Sequence, residues 1–394
     1  MYRIFLIVGV IIVYGSLYPW DFHSAQLAGN PLWVLIHSWP TGNYRSLLRD
    51  IAVNLLIFVP VGVFGFLALR QNFRTSVAAS VTLLFAPVLS SSIEMIQLFD
   101  DGRECTASDV VLNVSGTAVG IVLGRLYQQW LKRLLARTET SKLLHPSGAI
   151  LLFYTWLAYQ AFPLFPVLSR AWLHAKLDAI FAAIAVSPLE TFTYFGEWLV
   201  AAQLLEYVLG QERTYRWFPL LLIAPPVKLF IVDRTFTWSE LAGAGLAYVC
   251  SYFLSRYQWR RAAVAGLIVS LLIVRGFVPY QWSRAANPFS WIPFSGFLKA
   301  ERGFGMLVFL QKCFWYGSAV WLLRATGWRF ARAAAAVVLL LAAIELIQLH
   351  IPGRVAEITD PLLALILAVT FGLLDRPQNP RNNSSSASAI GLHG

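Results

Sequence analysis

The sequence predicts an all-α fold: a polytopic bundle of about twelve transmembrane helices, built as three repeated four-helix modules. Three observations carry this prediction: a low charged fraction, apolar runs of membrane-spanning length, and a polar pattern that recurs along the chain. Of the 394 residues, 58% are hydrophobic and 13% are charged, and the mean hydropathy is +0.62. Soluble domains carry about 25% charged residues, so the composition argues against a cytosolic enzyme.

The apolar runs set the number of helices. At about 1.5 Å per residue, a run of about 20 residues crosses a hydrocarbon layer of about 30 Å. The first run ends at Tyr18-Pro19-Trp20-Asp21 without a small-residue cleavage site, so we expect an uncleaved span and not a signal peptide. The predicted spans are 4–20, 47–69, 77–99, 107–127, 148–166, 190–210, 217–233, 238–255, 262–280, 303–323, 333–350 and 356–374.

Basic residues indicate the orientation of the bundle. They recur in the short loops after even-numbered spans, as at Arg70, Arg74, Arg213 and Arg256, whereas the opposite loops are rich in tryptophan, tyrosine and proline. Because basic loops stay on the cytoplasmic side, we expect both termini there. The same scatter accounts for the net charge of +11 without nucleic-acid binding. The polar segment 379–394 is predicted to be a disordered cytoplasmic tail.

The spacing of cysteines and histidines, and the absence of common motifs, argue against several kinds of chemistry. Cys105, Cys250 and Cys313 lie far apart, and the six histidines show no metal-ligand spacing. GxSxG, Walker A, HExxH and GxGxxG signatures do not occur. We therefore expect no cofactor and no metal, and the sequence argues against common serine hydrolases, ATP-driven transporters and zinc proteases.

A set of four polar residues occurs twice with identical spacing. Glu and Gln close an apolar span, Arg follows in a short turn, and Asp opens the next span: Glu94, Gln97, Arg103 and Asp109, then Glu345, Gln348, Arg354 and Asp360. Between them lies a decayed copy that keeps the Arg-x5-acid part: Pro225, Lys228, Arg234 and Glu240. Such a repeat marks a duplicated unit. We place the modules at 1–145, 146–260 and 261–378.

Two interpretations of this set remain open. In the structural one, Arg ties two helix ends together and Asp caps the second helix. In the functional one, Arg103 and Arg354 bind a phosphate at the outer face, helped by helix N-termini, while Glu94 and Glu345 accept hydrogen bonds from hydroxyls or amines. Phospholipid or lipid-linked headgroups are the natural ligands at that depth.

Other residues carry smaller predictions. Lys228 and Lys312 lie inside apolar spans, and we expect each to pair with a carboxylate such as Glu190, Glu197 or Glu206. The stripe Gly116-x3-Gly120-x3-Gly124 is typical of closely packed helices.

Over about residues 45–125 the chain resembles the VanZ-like family of bacterial membrane proteins. The resemblance rests on Asn54-Leu55-Leu56-x-Phe58-x-Pro60-x-Gly62, then Ser92-x-Glu94-x2-Gln97, Arg103, Asp109, Asn113 and Gly116. A second, partial resemblance covers about 303–374 and includes Lys312, but Ala364 and Leu367 replace the asparagine and glycine. The resemblance implies a protein of the bacterial plasma membrane. The family takes its name from a member that confers teicoplanin resistance, and it implies no particular reaction or cofactor.

Three function classes follow. The first, which we favour, is a protein that binds or handles an anionic lipid or a lipid-linked envelope intermediate. A secondary transporter fits twelve spans and repeats, although transporters place their polar sites near the membrane midplane. An intramembrane enzyme acting on a lipid-linked precursor would use the Glu and Asp side chains as general acid and base.

Overall fold

The computed structural model describes residues 1–18, 20–23, 29–39, 44–100, 105–135, 147–163, 166, 169–182, 184–299 and 302–375. These residues form helices joined by turns and loops, with isolated β-bridges and no β-strand in the described ranges. The all-α prediction is therefore confirmed. The predicted tail 379–394 lies outside the described residues.

The helices follow a recurring order along the chain, in which one short helix stands between the first and second longer helices. The first group is α1 (Tyr2–Ser16), α2 (Pro31–His37), α3 (Tyr44–Leu69), α4 (Thr75–Gln97) and α5 (Ala107–Leu135). The second is α6 (Gly148–Ala161), α7 (Arg170–Ala182), α8 (Pro188–Leu209), α9 (Gln211–Leu221), α10 (Ala224–Val227) and α11 (Trp238–Leu254). The third is α12 (Arg260–Gly276), α13 (Ser295–Lys299), α14 (Arg302–Ala325), α15 (Phe330–Gln348) and α16 (Thr359–Leu374).

Within the described ranges, five helices are long and apolar enough to cross a membrane. They are Ile51–Leu69, Thr75–Gln97, Ala107–Gln129, Phe304–Ala325 and Phe330–Gln348, and the shorter helices Tyr2–Ser16 and Thr359–Leu374 are also apolar. The remaining predicted spans do not meet the same length and composition, so the number twelve stays a prediction.

One predicted span, 217–233, is not a continuous helix. α9 ends at Leu221, α10 covers four residues, and Lys228–Phe230 forms a 3₁₀ turn. Pro225 and Pro226 lack the N–H that would continue the ladder of α9. The short helices α2, α7 and α13 were not predicted, because only apolar runs close to membrane-spanning length were counted as helices.

Glycines set the closest helix contact. A Cβ at Gly62 in α3 would lie 2.1 Å from the Thr117 carbonyl oxygen of α5, and one at Gly116 in α5 would lie 2.1 Å from the Leu55 carbonyl oxygen. Only hydrogen side chains allow the two backbones to approach in this way. The packing predicted for the glycine stripe is thus present between α3 and α5.

The second and third groups of helices share one core. It includes Trp156, Trp198, Phe218 and Phe314, all almost completely buried, and its members come from α6, α8, α9, α11, α12, α14, α15 and α16. The first group has smaller clusters of its own, such as Ile12, Phe58, Val61 and Ile93. A further cluster joins Ala52 and Val53 to Phe162 and the partly buried Met306. Apolar packing therefore links all three groups.

Candidate polar site at the helix hairpins

The repeated glutamates each hold the loop that follows their own helix. Glu94 Oε2 accepts a hydrogen bond from Thr106 N at 2.9 Å, and Glu345 Oε2 accepts one from Glu357 N at 2.8 Å. Both side chains are buried, with exposures of 4% and 3%. A carboxylate that binds a backbone N–H makes a strong charge-assisted bond. Each glutamate thus fixes the approach to the next helix, α5 or α16.

The repeated glutamines bind the end of the first helix of their group. Gln97 Nε2 donates to the Ser16 carbonyl oxygen at 2.5 Å, and Gln348 Nε2 donates to the Gly276 carbonyl oxygen at 3.0 Å. Ser16 and Gly276 are the last residues of α1 and α12. The final carbonyls of a helix have no partner within it. Each glutamine therefore caps a helix C-terminus from a neighbouring helix.

Arg354 also binds the end of α12. Its Nε donates to the Val278 carbonyl oxygen at 2.7 Å, and its Nη2 donates to the Arg275 carbonyl oxygen at 2.8 Å. In the decayed copy, Arg234 Nη2 donates to the Tyr159 carbonyl oxygen at 3.2 Å, near the end of α6. Part of each guanidinium therefore has a structural role. Arg103 lies outside the described residues.

The aspartates bind polar side chains of the second long helix. Asp360 Oδ1 accepts from Lys312 Nζ at 2.6 Å, and Oδ2 accepts from the Tyr316 hydroxyl. Asp109 Oδ1 accepts from Asn54 Nδ2 at 2.6 Å. Both aspartates lie in the first turn of a helix, where the positive helix end favours a carboxylate.

The third group thus holds one lysine among several carboxylates. Glu357 Oε1 lies 4.0 Å from Lys312 Nζ, and the Glu345 carboxyl group lies near that of Asp360. The Lys312 side chain is 27% exposed, whereas the Asp360 side chain is 11% exposed. Lys312 is therefore the part of this cluster most open to the outside, and it can contact a further group.

Extended segments after the first helix cover both hairpin turns. His23 N donates to the Phe99 carbonyl oxygen at 2.8 Å, and Ser283 N donates to the His350 carbonyl oxygen at 2.7 Å. In the third group α13 also contacts the hairpin turn, since Gly296 N donates to Glu357 Oε2 at 3.4 Å. The polar clusters lie beneath these segments.

The lysine pairs differ from those that the sequence predicted. Lys228 forms an ion pair with Glu240, and Lys312 with Asp360, whereas Glu206 binds Arg260. The prediction that each lysine meets a carboxylate was right, but its choice of Glu190, Glu197 or Glu206 was wrong. The actual partners both open the helix that follows the hairpin turn, α11 or α16.

Some members of the site were missed by the sequence analysis. Tyr316 lies four residues after Lys312, so the helical period could have placed both on one face of α14. Cys105 is buried and lies near Glu94. Burial, followed by the charge of Glu94, raises the pKa of the Cys105 thiol to about 11. At neutral pH Cys105 is therefore a protonated thiol and a poor nucleophile.

The described residues contain no group of three or more His, Cys, Asp or Glu side chains placed to hold a metal ion. The clusters offer hydrogen-bond acceptors, one partly exposed ammonium group and buried carboxylates. Such an arrangement can bind a polar headgroup or move a proton, and it also stabilises the two hairpins.

Together, the apolar helices and the buried polar clusters define an integral membrane protein with an all-helical fold. Comparison with known families adds the particular relationship: residues 2–128 match the family model described as VanZ/LLP1. The VanZ-like resemblance of the first part of the chain is thus confirmed. The second stretch of resemblance, about 303–374, lies outside this match. Neither a curated protein nor a solved structure matches the chain.

Proposed function

We propose that the protein binds the phosphate-bearing headgroup of a lipid, or of a lipid-linked envelope intermediate, at the outer face of the bacterial plasma membrane. The observation that carries this proposal is Lys312, an ammonium group that is 27% exposed while its partner Asp360 is buried. An ammonium group has three N–H donors, and Asp360 uses one. Donors remain for a phosphate oxygen.

The charges around Lys312 limit the chemical class of ligand that can bind there. Lys312 lies near Asp360, Glu357 and Glu345, so the cluster has more carboxylates than lysines. Carboxylates repel a bare phosphate but accept hydrogen bonds from hydroxyl or amine groups. The ligand class that fits is therefore a headgroup that carries a phosphate together with hydroxyl or amino groups. In the first group we propose the same role for Arg103, with Glu94 and Asp109 as the carboxylates of the set.

The architecture that we propose for this function has twelve spans in three modules, 1–145, 146–260 and 261–378, with both termini cytoplasmic. Matching hydrogen bonds support it: Glu94 to Thr106 N and Glu345 to Glu357 N, and Gln97 and Gln348 to the ends of α1 and α12. The segments that follow α1 and α12 contain Trp20, Tyr280 and Trp282, whose rings favour the headgroup layer. In the proposed arrangement the polar clusters lie at the outer face.

The test is native mass spectrometry of the full-length protein released from nanodiscs made of bacterial polar lipids. We expect the wild type to retain a phosphate-bearing lipid that Lys312→Met loses, while Lys312→Arg retains it. The matched control is Arg284→Met, which removes one positive charge from an exposed position on the loop between α12 and α13. Thermal unfolding of each variant separates loss of binding from loss of structure.

Retention of the same lipid by Lys312→Met would overturn the proposal. Equal loss in Lys312→Met and Arg284→Met would overturn it as well, because it would indicate attraction by overall charge and not by this site.

A secondary transporter is the second candidate, and the interruption between α9 and α10 favours it. Broken helices with charged side chains at the break are typical of transporter binding sites. Here the break is followed by Lys228, 2% exposed and paired with Glu240. Solute uptake into proteoliposomes that requires an ion gradient would support this function, and uptake that is unchanged by dissipating the gradient would contradict it.

A further inference from the structure

Glu197 is a completely buried carboxyl group near the middle of α8, and the headgroup proposal does not use it. Its exposure is 0%. Its Oε1 accepts two hydrogen bonds from α6, one from Trp156 Nε1 at 3.1 Å and one from Gln160 Nε2 at 2.7 Å. The group is therefore held in place by two donors on one oxygen.

The other oxygen of Glu197 has no donor. Glu197 Oε2 is buried without a hydrogen-bond partner, and so is Oε1 of Gln160, the residue whose amide nitrogen already binds Glu197. Two acceptor atoms thus lie unpaired on two side chains that touch. Buried polar groups are almost always paired, so this arrangement requires an explanation.

The charged neighbours do not supply the missing partner. Lys228 is committed to Glu240, and Arg275 lies over the ring of Trp315. No ion pair of Glu197 occurs among the residues that the structure describes. The titratable or charged groups that face Glu197 from the surrounding elements are Lys228, Glu240, Arg275, Tyr159 and Tyr194.

We infer that the Glu197 carboxyl group is a proton-binding site, in which one proton on Oε2 is donated to the Gln160 carbonyl oxygen. A carboxylic acid and a primary amide can exchange two hydrogen bonds, N–H to the acid carbonyl and O–H to the amide carbonyl. The first of these bonds is present. A single proton from water supplies the second, satisfies both unpaired atoms, and changes the charge of the carboxyl group from −1 to zero.

A metal cation explains the site less well. Hard cations take about six or more oxygen ligands, whereas the unpaired oxygens here are Glu197 Oε2 and Gln160 Oε1. The inference is also independent of the headgroup proposal, because none of the residues proposed for the headgroup lies in α6 or α8, which carry Gln160 and Glu197. Either can fail while the other stands.

The test combines infrared spectroscopy with carbodiimide labelling of the full-length protein in nanodiscs. We expect the carbonyl stretch of a protonated carboxylic acid at neutral pH, shifted by deuterium exchange and lost in Glu197→Gln. Dicyclohexylcarbodiimide, which reacts with protonated carboxyl groups in apolar surroundings, should label the wild type but not Glu197→Gln. Glu206→Gln is the matched control on the same helix, since Glu206 is ion-paired with Arg260, and it should keep both signals.

Gln160→Leu keeps the inference testable if Glu197→Gln does not fold. Removal of the amide acceptor should move the carbonyl stretch to higher frequency without abolishing it. A carboxylate spectrum for wild type at neutral pH, or labelling that survives in Glu197→Gln, would overturn the inference. Protection from labelling by sodium at constant pH would do the same, because it would indicate a cation site.

Discussion

Lys228 and Glu240 form an ion pair whose two side chains are 3% and 1% exposed. Removal of one partner from such a pair leaves the other charge buried and uncompensated, at a cost of about 3–5 kcal/mol. We expect Lys228→Met and Glu240→Gln each to reduce the free energy of unfolding by roughly this amount. The measurement is unfolding in detergent micelles, followed by tryptophan fluorescence.

The double variant Lys228→Met/Glu240→Gln is the internal control. Because it removes both charges, it should lose much less stability than the sum of the single variants. Simple additivity of the two losses would contradict the buried pair.

Gln97 and Gln348 allow a paired test at the same scale. Each donates to the last carbonyl of a helix, so Gln97→Leu and Gln348→Leu should each cost about 0.5–1.5 kcal/mol of unfolding free energy. Gln129→Leu, at an exposed position of α5, should change it by less. A large effect at one glutamine only would show that the two hairpins are not equivalent.

The sequence predicted where several polar side chains lie, but it did not predict their hydrogen-bond partners. The three-residue spacing correctly placed Glu and Gln on one helix face, and the position of Asp before an apolar run correctly placed it in a first turn. The partners of Gln97 and Arg354 are backbone carbonyls, 81 and 76 residues away. Every residue has a carbonyl oxygen, so the amino-acid sequence does not indicate which residue accepts such a bond.

At the scale of helices, glycine contacts decide how closely α3 and α5 pack. A Cβ at Gly116 would overlap the Leu55 carbonyl oxygen, so Gly116→Ala should force the helices apart at a cost of about 1–3 kcal/mol. Gly266→Ala in α12 is the matched control, because nothing lies within 4 Å of its added Cβ. It should be neutral or stabilising by up to about 1 kcal/mol. Thermal unfolding measures both, and equal shifts would contradict the close contact.

Helix boundaries were predicted closely where the apolar run is long, including α3 and α4, which contain Pro60 and Pro87. α15 agrees closely with the predicted span 333–350. The span 217–233 failed because hydropathy alone counts Pro225 and Pro226 as tolerable, whereas two successive missing N–H groups interrupt the helix. The helices α2, α7 and α13 are too short to span a membrane, although α7 has apolar residues at helical spacing at Leu173, Leu177 and Ile180.

At the scale of the whole molecule, the sequence did not predict how the three groups of helices pack against one another. Helices that are apolar all round have no single buried face, so the pattern does not say which helices touch. The shared core of the second and third groups, and the link from Ala52 and Val53 to Phe162, come from the structure alone.

The central claim is that three modules place their polar hairpins at the outer face of the membrane. The most direct measurement is thiol labelling of single-cysteine variants in intact bacteria, with Cys105, Cys250 and Cys313 replaced, using a membrane-impermeant maleimide. Phe22→Cys, Pro166→Cys and Arg284→Cys are exposed positions in the three segments that follow α1, α6 and α12. The controls Asn72→Cys and Gln258→Cys lie in exposed turns at the other ends of the helices. We predict that the first three variants are labelled in intact cells and that the two controls are labelled only after permeabilisation. If any of the first three is labelled only after permeabilisation while another is labelled in intact cells, the claim is contradicted.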